Sequence, residues 1–197
     1  MSIQSNPDDP FETARLRMVE EQISRRGIRD PRLLAVLRTL PRHLFVPADE
    51  LDDAYEDCAL PIGLEQTISQ PYIVALMTDL LRLKGDETVL EIGTGSGYQA
   101  AVLGRLVRQV HSIELHPTLA IQAKARLEAL EINNVNIHVG DGSGGLPVFS
   151  PYDAILVTAG APVVPEPLLE QLAREGRMVL PVGPRGRQVL QRWRKTP

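Results

Sequence analysis

The stretch that decides the fold is Val89-Leu90-Glu91-Ile92-Gly93-Thr94-Gly95-Ser96-Gly97-Tyr98. An apolar, strand-like run leads directly into closely spaced glycines, and a helical stretch follows from Tyr98. Glycines in this place let the backbone turn tightly and approach a ligand at the carboxyl end of a strand. We therefore predict a strand, a ligand-binding glycine turn and a helix.

Outward from this motif, short β-rich runs alternate with helical stretches. Strands are predicted at Thr88–Ile92, 110–115, Val135–Val139, Tyr152–Val157 and 177–182, and helices from Tyr98, Pro117 and Pro165. This alternation indicates crossover units and a parallel sheet. A last run, 188–193, follows the turn at 183–186 so closely that it must return antiparallel to its predecessor. The predicted fold class is α/β, a doubly wound, mostly parallel sheet with helices on both faces.

The N-terminal part of the chain has a different pattern. Apolar residues fall at helical intervals between positions 11 and 40, where Asp30-Pro31 supplies a cap and a first-turn proline. A second helix is predicted from Pro71 to a stop at Lys84-Gly85. The residues between them, 41–70, carry prolines and no sustained period, which predicts a long loop region with short elements.

Composition excludes several classes of function. A chain of 197 residues with 43% hydrophobic content suits one core, and the net charge of -4 gives no excess of Lys and Arg for a phosphate backbone. The single cysteine, Cys58, excludes an internal disulfide and is expected to be an apolar filler, and the four histidines lack metal-ligand spacing. Neither a secretory signal nor an apolar run of about 18 residues is present. We expect a cytoplasmic monomer without metal or nucleic acid.

Acidic residues follow three successive predicted strands. Glu91 places negative charge where a cofactor with an ammonium and a sulfonium is favoured over a dinucleotide, and Tyr98 breaks the G-x-G-x-x-G spacing. Glu114 lies about 20 residues after Gly93, the separation at which an acid reaches ribose hydroxyls. Asp141, between two glycines, could accept the exocyclic amine of adenine. Any one of these acids could be a simple cap, but the ordered set favours S-adenosyl-L-methionine.

From about Met18 to Lys195 the chain resembles the protein-L-isoaspartate O-methyltransferases. The resemblance rests on residues 18–22, 27–30, 45–47 and 54–63, on Gln66-Thr67-Ile68-Ser69-Gln70-Pro71-Tyr72, on the glycine turn, and on 151–159 with 181–183. It implies a Rossmann-like methyltransferase fold in one domain, 1–197. Residues 1–84 would form a helical extension with substrate-side loops, and 85–197 the cofactor-binding core.

The reaction implied by the resemblance is methyl transfer from S-adenosyl-L-methionine to the free carboxylate of L-isoaspartyl residues in damaged proteins and peptides. The ester would then cyclise to a succinimide, whose hydrolysis returns some normal aspartate. A carboxylate is ionised at pH 7, so no general base is needed, and the chain has no convincing Ser-His-Asp or Cys-His arrangement. Alignment of the two reactants would supply the catalysis.

The resemblance also implies site residues. Those for the cofactor are Glu91, Gly93, Thr94, Gly95, Ser96, Gly97, Glu114, Leu115, Asp141, Gly142 and Thr158. Those for the substrate are Ile62, Gln66, Thr67, Ile68, Ser69, Ala159 and Val182. Ser69 is predicted to be the chief positioning residue, with a hydroxyl that bonds the incoming carboxylate or the cofactor, and the alternative is a plain cap for the helix at Pro71.

Three other functions are weighed. A methyltransferase acting on a small molecule, rRNA or another side chain would commonly carry an Asn/Asp-Pro-Pro-Tyr-type motif, which the sequence lacks. A silent nucleoside-binding module would not need the intact 67–72 segment, and a nicotinamide oxidoreductase is disfavoured by Glu91 and Tyr98. Family members usually continue past Lys195 with one more strand, so the resemblance implies a sheet that lacks its final strand.

Overall fold

Helices and one hairpin make up the N-terminal part of the computed structural model, which describes residues 9–184 and 186–196; the polar start at 1–8 lies outside this range. The elements are α1 (Glu12–Arg17) with a π-helical continuation (Met18–Ser24), α2 (Pro31–Thr39), β1 (Leu60–Gly63), β2 (Gln66–Ile68) and α3 (Pro71–Leu81). The Asp30 carboxylate accepts hydrogen bonds from the backbone N–H groups of Arg32 and Leu33. This confirms the predicted cap of α2.

Residues 41–70, predicted as a long loop region with short elements, contain such elements. Two 3-10 turns, Arg42–Phe45 and Ala48–Glu50, precede the antiparallel hairpin β1–β2. Cys58 is exposed, so its expected role as an apolar filler is wrong. Helix α3 ends at Leu81, before the predicted stop, because Arg82 takes the left-handed conformation at φ 51°.

A six-stranded sheet lies at the centre of the structure. Its strands are β3 (Thr88–Ile92), β4 (Gln109–Glu114), β5 (Val135–Val139), β6 (Tyr152–Val157), β7 (Leu172–Val182) and β8 (Val189–Arg194). Their order is β5-β4-β3-β6-β7-β8, and only the β7–β8 pair is antiparallel. The mostly parallel sheet and the antiparallel return are therefore confirmed. Strand β7 begins five positions before the predicted 177, with a register shift against β6.

Helices cover both faces of the sheet, as predicted. The connecting helices are α4 (Tyr98–Gly104), α5 (Pro117–Ala129) and α6 (Glu166–Glu170). Val89 points into the buried cluster that includes residues of α3, α4 and α5, whereas Leu90 and Ile92 point into the cluster that includes Leu168 of α6. This alternation along β3 follows from the two-residue period of a strand.

The last strand of the sheet lies at an edge. Strand β8 pairs with β7 alone among the described residues and forms one edge, with Val189 and Trp193 exposed. The expected absence of a further strand stays a prediction. No helix in the described part of the chain combines the length and the apolar character needed to cross a membrane.

Candidate active site

A cavity of about 610 Å³ lies at the carboxyl ends of the parallel strands. Its volume falls in the range of roughly 300–1,000 Å³ that small-molecule sites occupy. Its walls come from the loops after β3, β4, β5 and β6, facing the hairpin segment: Gly93 and Gly95, Glu114 to His116, Gly140 to Ser143, Thr158 to Val163, and Gln66, Thr67 and Ser69. The topology thus gathers segments that are far apart in the sequence.

The glycine turn after β3 has a backbone that other residues could not adopt easily. Gly93 has φ +96°, and a Cβ placed there would collide with Oγ1 of Thr158. Gly97 has φ +92°, and a Cβ there would lie 3.0 Å from Cβ of Ala123. The backbone N–H groups of Gly93 and Thr94 both donate to the carbonyl of Ile113. The turn is therefore fixed on β4 and leaves its outer surface to the cavity.

Glu114 connects the end of β4 to this turn. Its Oε2 accepts a hydrogen bond of 2.7 Å from the Gly95 N–H, and its Oε1 accepts one of 2.9 Å from the His116 N–H. Its side chain lines the cavity, although the residue is only 4% exposed. A carboxylate oxygen can accept more than one hydrogen bond, so Glu114 can also accept from a ligand hydroxyl.

Asp141 and Gly142 lie on the opposite wall, after β5. Asp141 Oδ1 accepts a hydrogen bond of 2.9 Å from the Ser143 N–H, which lowers the pKa of this exposed carboxyl. A Cβ on Gly142 would come within 2.6 Å of Ile92 Cγ2, so the loop packs directly against β3. Leu115, 62% exposed, adds an apolar surface beside them.

The side chain of Gln171 holds residues 144–146 of the same loop in place by hydrogen bonds. Its Oε1 accepts from the Leu146 N–H at 2.7 Å, and its Nε2 donates to the Gly144 carbonyl at 2.8 Å. The Tyr152 hydroxyl also donates to the Leu146 carbonyl at 2.6 Å. These contacts fix the loop that carries Asp141. No sequence motif marked Gln171, because its partners are backbone atoms of a distant segment.

Glu91 does not line the cavity. Its side chain is fully buried, and its Oε2 lies 2.5 Å from Ser112 Oγ on the neighbouring strand. Burial, with a smaller contribution from the charge of Glu114, raises the pKa of Glu91 to about 8. Burial disfavours the charged form of this carboxyl. The predicted contact between the negative charge of Glu91 and the cofactor is wrong, because the side chain is buried inside the sheet and does not line the cavity.

Thr158 and Ala159 extend the wall after β6. The Thr158 N–H donates to the Ile92 carbonyl at 2.9 Å, and its hydroxyl lies 2.7 Å from the Gly93 carbonyl. Both residues line the cavity. The hydroxyl thus fills the space that glycine at 93 leaves open.

Ser69 faces the glycine turn across the cavity. It lines the large cavity and a smaller adjoining one of about 40 Å³, which Thr67, Ile68, Thr94 and Ser96 also line. The N-cap of α3 is Gln70, which makes no side-chain cap bond. The alternative that Ser69 caps this helix is therefore not what the structure has.

Two predicted substrate residues, Ile62 and Val182, line neither the large cavity nor the small one beside it. Ile62 packs on the glycine turn, with Cδ1 3.4 Å from a Cβ built on Gly95, and it lines a separate groove. Val182 lies at the end of β7, where it pairs with Val189 and bridges to Ala161. Gly97, predicted to contact the cofactor, does not line the cavity. Its lack of a side chain lets the glycine turn pack against Ala123 of α5. Conversely, His116 lines the cavity but was not predicted, although its position directly after Leu115 could have suggested it.

Comparison with known proteins gives consistent matches. A family model described as protein-L-isoaspartate(D-aspartate) O-methyltransferase matches residues 13–197. The chain is 60% identical over 185 residues to the protein-L-isoaspartate O-methyltransferase of Trichlorobacter lovleyi, covering 94% of this chain and 85% of that protein. It is 56% identical to the enzyme of that name from Methanoregula boonei, covering 91% of this chain and 82% of that protein.

Solved structures agree in fold. One protein-L-isoaspartate O-methyltransferase superposes with a TM-score of 0.84 at 34% identity, covering 92% of this chain and 60% of that one. A second structure, from Plasmodium falciparum in complex with S-adenosyl-L-homocysteine, has a TM-score of 0.81 at 24% identity and covers 93% of this chain and 90% of that one.

Proposed function

The chain belongs to the protein-L-isoaspartate(D-aspartate) O-methyltransferase family, and from this premise we propose that it methylates the free carboxylate of L-isoaspartyl residues in proteins and peptides. S-adenosyl-L-methionine is the proposed methyl donor. The observation that carries the proposal is that Thr67 and Ser69 line the same cavity as Glu114 and Asp141. One cavity thus has a wall for each reactant.

The residues present fit this cofactor. Glycine at 93 and 142 lets the loops that form the cavity wall pack directly against Thr158 and Ile92. Glu114 would accept from the ribose hydroxyls and Asp141 from the adenine amine, while Leu115 would contact the apolar face of the base. When bound, the cofactor supplies an electrophilic methyl group on a sulfonium.

Positioning is the main task left to the protein. We propose that Ser69 donates a hydrogen bond to the substrate carboxylate and holds one oxygen in line with the methyl group. A carboxylate is already ionised at neutral pH, so no side chain needs to remove a proton. Alignment of this kind can supply about 7–11 kcal/mol of the barrier.

The proposal also covers the substrates, the fate of the ester and the organisation of the chain. The substrates would be isoaspartyl peptides and damaged proteins, and the ester would proceed to a succinimide outside the enzyme. We propose one domain, because a single buried cluster joins Met18 and Leu33 of the N-terminal helices to Val89 and Leu156 of the sheet. A monomer acting in the cytoplasm, without nucleic acid, stays a prediction.

A paired-peptide assay tests the function. The purified protein is incubated with labelled S-adenosyl-L-methionine and with either an isoaspartyl peptide or the same peptide with normal aspartate. Label on the isoaspartyl peptide alone supports the proposal. Cofactor binding without label on the isoaspartyl peptide would refute the substrate, and tighter binding of NAD than of S-adenosyl-L-methionine would refute the cofactor.

A further inference from the structure

A continuous set of hydrogen-bonding side chains runs behind the glycine turn. Ser112 Oγ lies 2.5 Å from Glu91 Oε2 and 2.5 Å from Thr94 Oγ1. Ser112 is fully buried, and Thr94 is 3% exposed. Thr94 lines the small cavity that also touches Ser69. The set therefore connects a carboxyl in the sheet to the boundary between the cofactor and substrate walls.

The direction of these hydrogen bonds depends on one proton, because each hydroxyl has a single hydrogen to donate. If Glu91 is ionised, Ser112 donates to Glu91 and Thr94 donates to Ser112. Thr94 then has no hydrogen left for a ligand. If Glu91 carries a proton on Oε2, it donates to Ser112, Ser112 donates to Thr94, and the Thr94 hydrogen is free for an acceptor in the small cavity.

The surroundings of Glu91 favour the second arrangement. Its Oε1 is buried and has no hydrogen-bond partner among the described residues. An unpartnered neutral carbonyl oxygen is less costly to bury than an unpartnered anionic one. The strands beside β3 supply no cation: β4 places Ser112 and the anionic Glu114 near it, and β6 places Leu156 opposite. Burial, and less strongly the charge of Glu114, raise the pKa of Glu91.

We propose that Glu91 is a positioning residue that works as an uncharged acid, orienting Ser112 and Thr94 so that the Thr94 hydroxyl donates to a carboxylate bound in the small cavity. Two carboxylates could occupy this place, that of the amino-acid part of the cofactor and that of the isoaspartyl substrate. This inference rests on the proposed function for the identity of the ligands. The arrangement of the three side chains does not depend on it.

The first test uses the protein without ligand. Infrared difference spectra across a pH titration report the C=O stretch of a buried, protonated carboxylic acid. We expect such a band at pH 7 that disappears as the pH rises through about 8, and we expect Glu91→Gln to lack it. Superimposable spectra of the unaltered protein and Glu91→Gln at pH 7 would overturn the proposal. Because no ligand is used, this result is independent of the methyl-transfer activity.

The second test measures ligand affinity against pH by calorimetry. S-adenosyl-L-homocysteine is the probe, since it carries the amino-acid carboxylate without the sulfonium charge. For the unaltered protein we expect the affinity to fall about tenfold from pH 7 upward, the size of one hydrogen bond to a charged group. Glu91→Gln should show no such fall beyond the change that titration of the ligand amine causes in every variant. Thr94→Val should be weak throughout.

The variants separate hydrogen bonding from simple repulsion. If an ionised Glu91 only repelled the ligand through space, Thr94→Val would retain the pH dependence, and the proposal would fail. Titration of the ligand amine is common to all variants and cancels in the comparison. Glu128→Gln, an exposed change on α5, should follow the unaltered protein. A rise in the KM for the peptide as the pH rises, with no fall in cofactor affinity, would assign the Thr94 hydrogen to the substrate carboxylate.

Discussion

The carboxylate of Glu114 accepts a hydrogen bond from the backbone N–H of Gly95 at 2.7 Å, so the end of β4 fixes the glycine turn after β3. Glu114→Ala should therefore have two effects. It should weaken cofactor binding by about 1–3 kcal/mol, since a ligand hydroxyl loses its acceptor. It should also lower the free energy of unfolding, because the N–H groups of Gly95 and His116 lose their partner.

Asp141→Ala is the matched comparison for that change. Asp141 is exposed and bonds only to the nearby Ser143 N–H among the described residues. We expect weaker cofactor binding with little change in the urea midpoint. Calorimetry and urea unfolding of both variants check the difference. Equal losses of stability would mean that Glu114 does not fix the turn in the way the contact indicates.

Ser69→Ala should lower turnover more than it lowers cofactor affinity. The reason is that Ser69 lies on the substrate wall, where its hydroxyl would align the carboxylate. Steady-state kinetics with an isoaspartyl peptide give kcat and KM, and calorimetry gives the cofactor affinity. Ser150→Ala, an exposed serine outside the cavity, serves as the control. A proportional loss of kcat and of cofactor affinity in Ser69→Ala would contradict the role.

Gly142→Ala should destabilise the protein by about 1–3 kcal/mol through overpacking. The added Cβ would lie 2.6 Å from Cγ2 of Ile92, which is buried at the carboxyl end of β3. Ile92→Ala alone should cost about 2–5 kcal/mol by leaving a cavity. In the double variant the clash is gone, so the combined cost should be less than the sum. Additive costs in urea unfolding would show that the loop can move away from β3 freely.

Two histidines should make the protein less stable in mild acid. His111 Nδ1 lies 3.1 Å from His138 Nε2, and burial lowers the pKa of both imidazoles below 6.5. Above about pH 6.5 both are neutral in the native and unfolded states, so they add no penalty. Below about pH 6.5 the unfolded chain binds protons that the native state does not. The free energy of unfolding therefore falls as the pH is lowered.

His138→Gln tests this pH dependence. It removes one of the two imidazoles and the like charge that helps to lower the pKa of His111. Urea midpoints at neutral and mildly acidic pH should therefore differ less in the variant than in the unaltered protein. An equal or larger difference in the variant would show that other groups control the acid sensitivity.

Tyr98→Phe should leave stability unchanged or raise it slightly. The Tyr98 hydroxyl is fully buried without a hydrogen-bond partner among the described residues, and burial raises its pKa to about 12. Removing an unpartnered buried hydroxyl removes its desolvation cost, while the edge contact of the ring with Phe45 stays. Thermal unfolding measures the outcome. A clear loss of stability would mean that the hydroxyl has a partner after all.

Local sequence patterns carried most of the information about the fold. Strand β3, the glycine turn and α4 were predictable because each depends on short-range rules: a two-residue period, residues free to take positive φ, and helical spacing. The position of Glu114 and Asp141 beside one cavity was also predictable, since the carboxyl ends of parallel strands meet at one edge. The family signature added Thr67 and Ser69, which no periodicity marks.

The tertiary structure alone decided what depends on contacts across the sheet. The sequence could place an acid at Glu91, but only the packing of β3 between β4 and β6 buries that carboxyl, gives it Ser112 as a partner and raises its pKa. Likewise, Gln171 became part of the site through backbone atoms 25 and 27 positions away. Periodicity reports which way a side chain points within its own element. Its charge state and its partners are set by desolvation and by neighbours from other strands, which the linear order does not contain.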